Sequence, residues 1–311
     1  MTRICVVLNA GSGRKQAQSL CESVAAAFEA QGCPAQLRLA EGAEIPKVAQ
    51  QVAREGFEIV VAAGGDGTIC AVASALSGSG GTLGILPMGT FNYFARSLDL
   101  PLDDIEAAVA VICAGAKRPL GYARVNGEVF LNNASLGTYP AILKEREAIY
   151  DKWGRSRVAA YWSVVKTLLG LRSQMRLRLV AQSAQGPISH DLATPLVFVM
   201  NNAFQLEAMG LPGKEHIAAG NLLAFVAPKV GRWGMIRIAL ALAVGRARNH
   251  RHFEMIAAPS LTLEETGSRK HRPRRIARDG ERAMLAAPFR FELCRDDLSV
   301  MVPQTRAQDL R

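Results

Sequence analysis

Over roughly the first 120 residues, short apolar runs alternate with segments of helical spacing. Ile4–Leu8 is an apolar run, and Lys15 to Ala30 repeats apolar positions at helical intervals. Ala35–Leu39 alternates like a strand, and Ile45–Arg54 reads as a second helix. Ile59–Ala63 is wholly apolar, Ile69–Leu76 is helical, and Leu83–Leu86 is apolar again. A short helix over Asn92–Ser97 and a longer one over Asp103–Ala114 complete this stretch. Repeated strand–helix units predict a parallel sheet covered on both faces, an α/β domain over residues 1–121.

After Gly121 the period changes. Val129–Ala134, Met175–Ala181, Pro187–Leu192, Leu196–Met200, Leu222–Val226, Phe253–Ile256, Leu261–Leu263 and Phe289–Leu293 read as short strands. Helical stretches at Ala141–Leu171 and Trp233–Arg248 interrupt them. Many strands with few helices predict an antiparallel β-sandwich over residues 122–311, with the boundary near Lys117–Tyr122.

In parallel sheets, ligands bind beyond the carboxyl ends of the strands. Three polar turns lie at such ends: Asn9-Ala10-Gly11-Ser12-Gly13, Gly64-Gly65-Asp66-Gly67-Thr68, and Pro87 to Asn92. A glycine turn between strand and helix lets backbone N–H groups approach a phosphate, and the helix dipole adds its field. Thr68 suits the N-cap. Asp66 is the odd member, because a carboxylate repels phosphate. It could hold a metal that bridges to the phosphates, or take a proton from an attacking hydroxyl, and both belong to phosphoryl transfer. The first turn has neither Walker nor dinucleotide spacing. In Leu86-Pro87-Met88-Gly89-Thr90-Phe91-Asn92-Tyr93-Phe94-Ala95-Arg96, Thr90 and Asn92 can hydrogen-bond a nucleotide. Asp279-Gly280-Glu281 reads as a hairpin turn, or as a carboxylate serving as general base for a substrate hydroxyl.

The net charge of +10 fits anionic partners, and much of the excess sits in Arg269–Arg278. That run carries no interleaved aromatics, so nucleic acid is not an expected partner. The six cysteines show no C-x-x-C pair and read as reduced thiols, and the histidines show no metal spacing. No apolar run reaches the roughly 18 to 20 residues of a membrane span; the best candidate, Met235–Val244, carries Arg237. The chain runs straight into its first strand without a signal-peptide pattern, which predicts a cytoplasmic protein.

Taken together, GGDGT at 64–68, LPMGTFNYFAR at 86–96, LNNASLG at 131–137, the DGE at 279–281 and the closing strand Leu298–Pro303 resemble bacterial lipid kinases related to diacylglycerol kinase and sphingosine kinase. The resemblance implies a nucleotide domain and a C-terminal β-sandwich, with ATP in the cleft between them and Mg²⁺ accompanying it. The reaction implied is transfer of the γ-phosphoryl group to a lipid hydroxyl. Asn9, Ala10, Gly11, Ser12 and Gly13 would line the nucleotide site, with Gly64, Gly65, Asp66, Gly67, Thr68, Ile69, Cys70 and Ala71, and with Gly89, Thr90 and Asn92. Asp66 would organise Mg²⁺, and Glu281 or Asp279 would accept the proton. The lipid's acyl chains would lie in a slot of the second domain, and the final strand or tail would return to the first.

The chain departs from the family pattern at Ala10, where proline is usual, at Cys70-Ala71 for Asn-Glu, and at Tyr93 for aspartate. A segment linked in the family to a structural magnesium has two acidic residues, which here are Ala218 and Ala219. The reading is therefore an ATP-dependent lipid kinase bound peripherally to an anionic membrane surface, with a homodimer as an open assembly. NAD kinase shares GGDGT but is opposed by LPMGTFN and the late DGE. A lipid-binding regulatory protein that has lost activity is the rival from another class.

Overall fold

The computed structural model describes residues 2–11, 14–137, 174–183, 186–229, 231, 233–234, 236–237, 253–266, 273–295 and 297–305. The expected helix at 141–171, most of that at 233–248, and Ser12, Gly13 and residues 269–272 of the basic run lie outside them. The chain divides into two compact units, Met1–Tyr122 with Cys294–Arg311, and Ala123–Leu293.

In the first unit, β1 (Ile4–Asn9), β2 (Ala35–Ala40), β3 (Ile59–Gly64) and β4 (Thr82–Pro87) pair in parallel in the order β2-β1-β3-β4. All six residues of β3 and of β4 are buried, as both faces of a covered parallel sheet require. The helices are α1 (Arg14–Ala30), α2 (Ile45–Arg54), α3 (Asp66–Leu76), α4 (Tyr93–Ser97) and α5 (Ile105–Ala114). Val6 and Leu8, Val24 and Phe28, Val61, and Val109 and Ile112 share one core cluster. The chain passes from β1 outward to β2, then crosses back to β3 on the other side of β1. That reversal makes the carboxyl ends of β1 and β3 a topological switch point, where open α/β sheets bind ligands.

In this unit one strand was not foreseen and the return of another was expected. Residues around 117–122, read as a boundary, include strand β5 (Ala116–Pro119). The closing strand β18 (Ser299–Val302) lies between β4 and β5, parallel to the first and antiparallel to the second.

The second unit is antiparallel, as expected from its many short strands. Its sheets run β10-β9-β14-β17-β6-β7 and β13-β12-β11-β8-β15-β16. The first contains β6 (Tyr122–Val125), β7 (Glu128–Phe130), β9 (Met175–Ser183), β10 (Gly186–Thr194), β14 (Ser260–Glu265) and β17 (Phe289–Cys294). The second contains β8 (Asn133–Gly137), β11 (Leu196–Met200), β12 (Leu222–Val226), β13 (Glu254–Ala258), β15 (Arg274–Arg278) and β16 (Glu281–Leu285). Leu177, Leu261 and Phe289 of the first share a core with Leu136, Val197, Leu222 and Ile276 of the second, which makes a sandwich. Helices α6 (Ala203–Ala208) and α7 (Lys214–Ala218) follow β11. Asn126-Gly127 and Asp279-Gly280, all at positive φ, turn the β6–β7 and β15–β16 hairpins.

Among the described residues no helix is long and apolar enough to cross a membrane. Burial pushes the Cys5 thiol up to about 11 and the Cys113 thiol up to about 12, the latter also through its hydrogen bond with Cys33. Both therefore stay protonated at neutral pH and are poor nucleophiles or metal ligands.

Candidate functional site

The Gly64–Thr68 turn sits at the switch point, and its tightness explains its glycines. A Cβ on Gly64 would stand 2.5 Å from the Thr68 hydroxyl oxygen. Helix α3 starts at Asp66 with Gly65 as N-cap, so Thr68 is inside the helix and not its cap. Thr68 is buried, and its Oγ1 accepts a hydrogen bond from Asn9 Nδ2 at 3.2 Å. Asn9 Oδ1 in turn accepts from Gly11 N–H at 3.1 Å. The ends of β1 and β3 are thus tied together by side chains.

The third turn is pressed against the second by backbone. Met88 N–H donates to Gly64 O at 2.9 Å, and a Cβ on Gly89 would lie 2.5 Å from Gly65 Cα. Asn92, with φ 49°, holds the loop closed: its Oδ1 accepts from Gly89 N–H at 3.0 Å and its Nδ2 donates to Gly89 O at 2.8 Å. Only 5% of Asn92 is exposed, and its amide shapes the loop.

Asp66 has a structural partner that the sequence reading did not foresee. Its two carboxylate oxygens accept from the first N–H groups of α4, Tyr93 at 3.2 Å and Phe94 at 3.0 Å. Backbone dipoles therefore compensate its charge beside the glycine turn. Besides the metal and proton roles expected of it, this carboxylate clamps the third turn to the second. The side chains of Ile69 and Cys70 are buried, and Ile69 N–H is engaged by Gly65 O at 3.1 Å, so neither side chain offers a ligand contact. Ala10 N–H is engaged by Ala40 O at 2.9 Å. Thr90 is exposed, and the exposed Phe91 stacks on Tyr93 with ring centroids 5.6 Å apart. Arg96 Nε donates to Phe91 O at 3.0 Å.

In the second unit the two carboxylates of the DGE turn part company. Asp279 Oδ2 accepts from Leu131 N–H at 2.6 Å, and its Oδ1 accepts from Asn132 and Asn133 N–H at 2.8 and 3.0 Å. It therefore anchors the LNNASLG segment. Glu281 opens β16 with its side chain exposed. The asparagines extend the anchoring: Asn202 Nδ2 donates to Asn132 Oδ1 at 2.6 Å, and Asn133 Nδ2 donates to Gln205 Oε1 at 2.8 Å. Asn202 is the N-cap of α6, and its side chain accepts from Gln205 N–H at 3.1 Å.

Two of the described arginines in the basic run are engaged within the unit. Arg274 pairs with Glu265, and Arg278 pairs with Glu128 at 2.7 Å. Arg275 is exposed on the opposite side of its strand.

Asp66 fits a divalent cation carried by phosphates, since Mg²⁺ takes one or two carboxylates plus phosphate oxygens, and a carboxylate has about four lone-pair sites. The segment linked in the family to a structural magnesium does not fit: Ala218 and Ala219 supply no side-chain oxygen, and Glu215 lies 3.9 Å from His216. Among the described residues no three His, Cys, Asp or Glu side chains gather into a metal set.

Residues 3–125 match the family model of the diacylglycerol kinase catalytic domain. A diacylglycerol kinase of Bacillus subtilis is 35% identical over 203 residues, covering 62% of this chain and 65% of the relative. A probable YegS-like lipid kinase of Cronobacter sakazakii is 39% identical over 114 residues, covering 35% of this chain and 38% of the relative. The crystal structure of a diacylglycerol kinase from Bacillus anthracis superposes with a TM-score of 0.65 at 18% identity, covering 97% of both chains, and this likeness speaks for the fold. The resemblance read from the motifs is borne out.

Proposed function

We propose, from a chain whose residues 3–125 carry a diacylglycerol kinase catalytic domain, that the protein is a lipid kinase that transfers the γ-phosphoryl group of ATP to a lipid hydroxyl. The observation that carries this reading is the switch-point turn, with glycines at each close approach and a helix N-terminus behind it. The opening N–H groups of α3 lack carbonyl partners within the helix and suit phosphate oxygens. Asp66 would hold Mg²⁺ on the phosphates, and the cation would neutralise charge there. The residues themselves supply position. Thr68, Asn9 and Asn92 fix the turn shapes, and the Asp66 clamp keeps the third turn against the second.

For the proton, Glu281 is the better candidate for general base. Three N–H donors already surround the Asp279 carboxylate, whereas the Glu281 side chain is exposed. Glu281→Gln is expected to lower turnover by about a hundredfold, the usual scale of general-base loss, with ATP affinity unchanged. Asp279→Asn is expected to act through folding, lowering stability by about 2 kcal/mol because charge-assisted bonds to three N–H groups are lost. Steady-state kinetics and urea unfolding of both variants check this split. Full turnover in Glu281→Gln places the base elsewhere.

The acceptor test pits NAD against a lipid panel in mixed micelles, each with ATP. Lipid-dependent ADP formation supports the reading, and NAD-dependent formation alone turns it to an NAD kinase. Peripheral binding to an anionic membrane belongs to the same proposal. Exposed Arg275 opposes exposed Met284 across the β15–β16 pair, which joins charge to an apolar contact. Co-sedimentation with anionic vesicles is expected to fall as salt rises, each base near the surface contributing about 1 kcal/mol. Equal binding to neutral vesicles removes the electrostatic account.

A further inference from the structure

Phe91 lies on the third strand-end turn with 58% of the residue exposed. A single exposed ring is ordinary on a protein surface. This one is held in place. Its backbone carbonyl accepts from Arg96 Nε at 3.0 Å, Asn92 beside it closes the loop on Gly89, and Tyr93 N–H is tied to Asp66 at 3.2 Å. One face of the ring lies on Tyr93, with centroids 5.6 Å apart and planes 3° from parallel. That offset stack leaves the other face of Phe91 to solvent. Tyr93 stands where the family pattern has aspartate, so the aromatic pair belongs to this chain and not to the motif.

The stack borders the turn that suits phosphate. Gly89 packs on Gly65, the N-cap of α3, and Phe91 follows Gly89 by two residues, a reach of about 7 Å at most. The surroundings of the ring are polar. Thr90 and Arg96 are exposed beside it, and the Asp66 carboxylate holds the N–H of its stacking partner. A hydrocarbon chain would find one isolated ring there and would offer those polar groups nothing. A flat heteroaromatic ring extends the stack by its face and keeps its polar edge in water.

We propose that Phe91, backed by Tyr93, is the stacking platform for the nucleobase of the nucleoside triphosphate whose phosphates lie on the α3 N-terminus. Every base has a π-face, so the platform adds affinity without choosing between adenine and guanine. That the occupant is a nucleotide rests on the kinase reading; that it is flat rests on the stacked pair.

The test uses the full chain as wild type, Phe91→Ala and Phe91→Trp. Each is titrated in a calorimeter with a non-hydrolysable ATP analogue and with inorganic triphosphate, Mg²⁺ present. Phe91→Ala is expected to bind the ATP analogue about tenfold more weakly, within the range for a lost base–aromatic stack, and triphosphate as the wild type does. The corresponding GTP analogue should lose as much. Phe91→Trp should restore the affinity, and its emission above the wild-type level should be quenched by the ATP analogue and not by triphosphate. The three ligand-free proteins are expected to melt alike, because the ring is exposed. Unchanged affinity of Phe91→Ala for the ATP analogue overturns the proposal. An equal loss for triphosphate overturns it too and makes the ring a prop of the turn. A raised lipid KM with ATP affinity unchanged overturns it and gives the ring to the acceptor. A wild type that binds neither ligand overturns the kinase reading, and this platform with it.

Discussion

Asp66→Asn is expected to remove phosphoryl transfer, lowering turnover by about a thousandfold, the upper scale for losing one electrostatic contact in a transition state. The substitution acts twice. An amide is neutral and would hold Mg²⁺ weakly. It also has a single acceptor oxygen where Tyr93 and Phe94 N–H each need one, so its NH₂ group faces a donor. Loss of the charge-assisted pair is expected to cost about 2 kcal/mol of stability. Steady-state turnover and urea unfolding, measured on the same preparation, separate the two effects. Destabilisation with turnover within a few-fold of wild type would reduce Asp66 to the clamp alone.

Gly89→Ala is expected to damage the nucleotide site without touching any group that reacts. The new Cβ would stand 2.5 Å from Gly65 Cα and 2.7 Å from Asn92 Oδ1. The first neighbour is backbone and the second is held at both ends by Gly89 itself, so neither can move aside alone. The two turns must separate, at a cost of about 1–3 kcal/mol for overpacking. ATP affinity is expected to fall at least about tenfold, or about 1.4 kcal/mol. Gly65→Ala should be milder, because its Cβ would meet Gly89 Cα at 3.3 Å. Calorimetric titration with a non-hydrolysable ATP analogue gives the order. Wild-type affinity in Gly89→Ala would show that the paired turns do not hold the nucleotide.

These two sites mark how far the sequence could be read. The parallel sheet and the three turns at its strand ends were legible because burial on both faces writes apolar runs, and the turns need glycine. The role of Asp66 was legible only in part. Its partners are 27 and 28 residues away, and a side chain that accepts backbone N–H groups leaves no residue-type signal at the donor positions. Asp279 is the same case at greater range, 146 to 148 residues from the N–H groups it holds. Its hairpin turn was legible from Asp-Gly, and its anchoring was not. Strand β5 was read as a boundary because Ala116–Pro119 is short, polar and half-exposed. The Asn92 clamp could have been suspected, since asparagine tolerates positive φ and bonds its own loop.

The central claim is that the phosphoryl group of ATP ends on a lipid oxygen. Phosphorus NMR of a reaction containing the full chain, ATP, Mg²⁺ and diacylglycerol micelles tests it most directly. The account predicts a lipid phosphomonoester resonance that grows in step with ADP and is lost in Asp66→Asn. ADP accompanied only by inorganic phosphate, or ATP unchanged with every hydroxyl lipid offered, would contradict it.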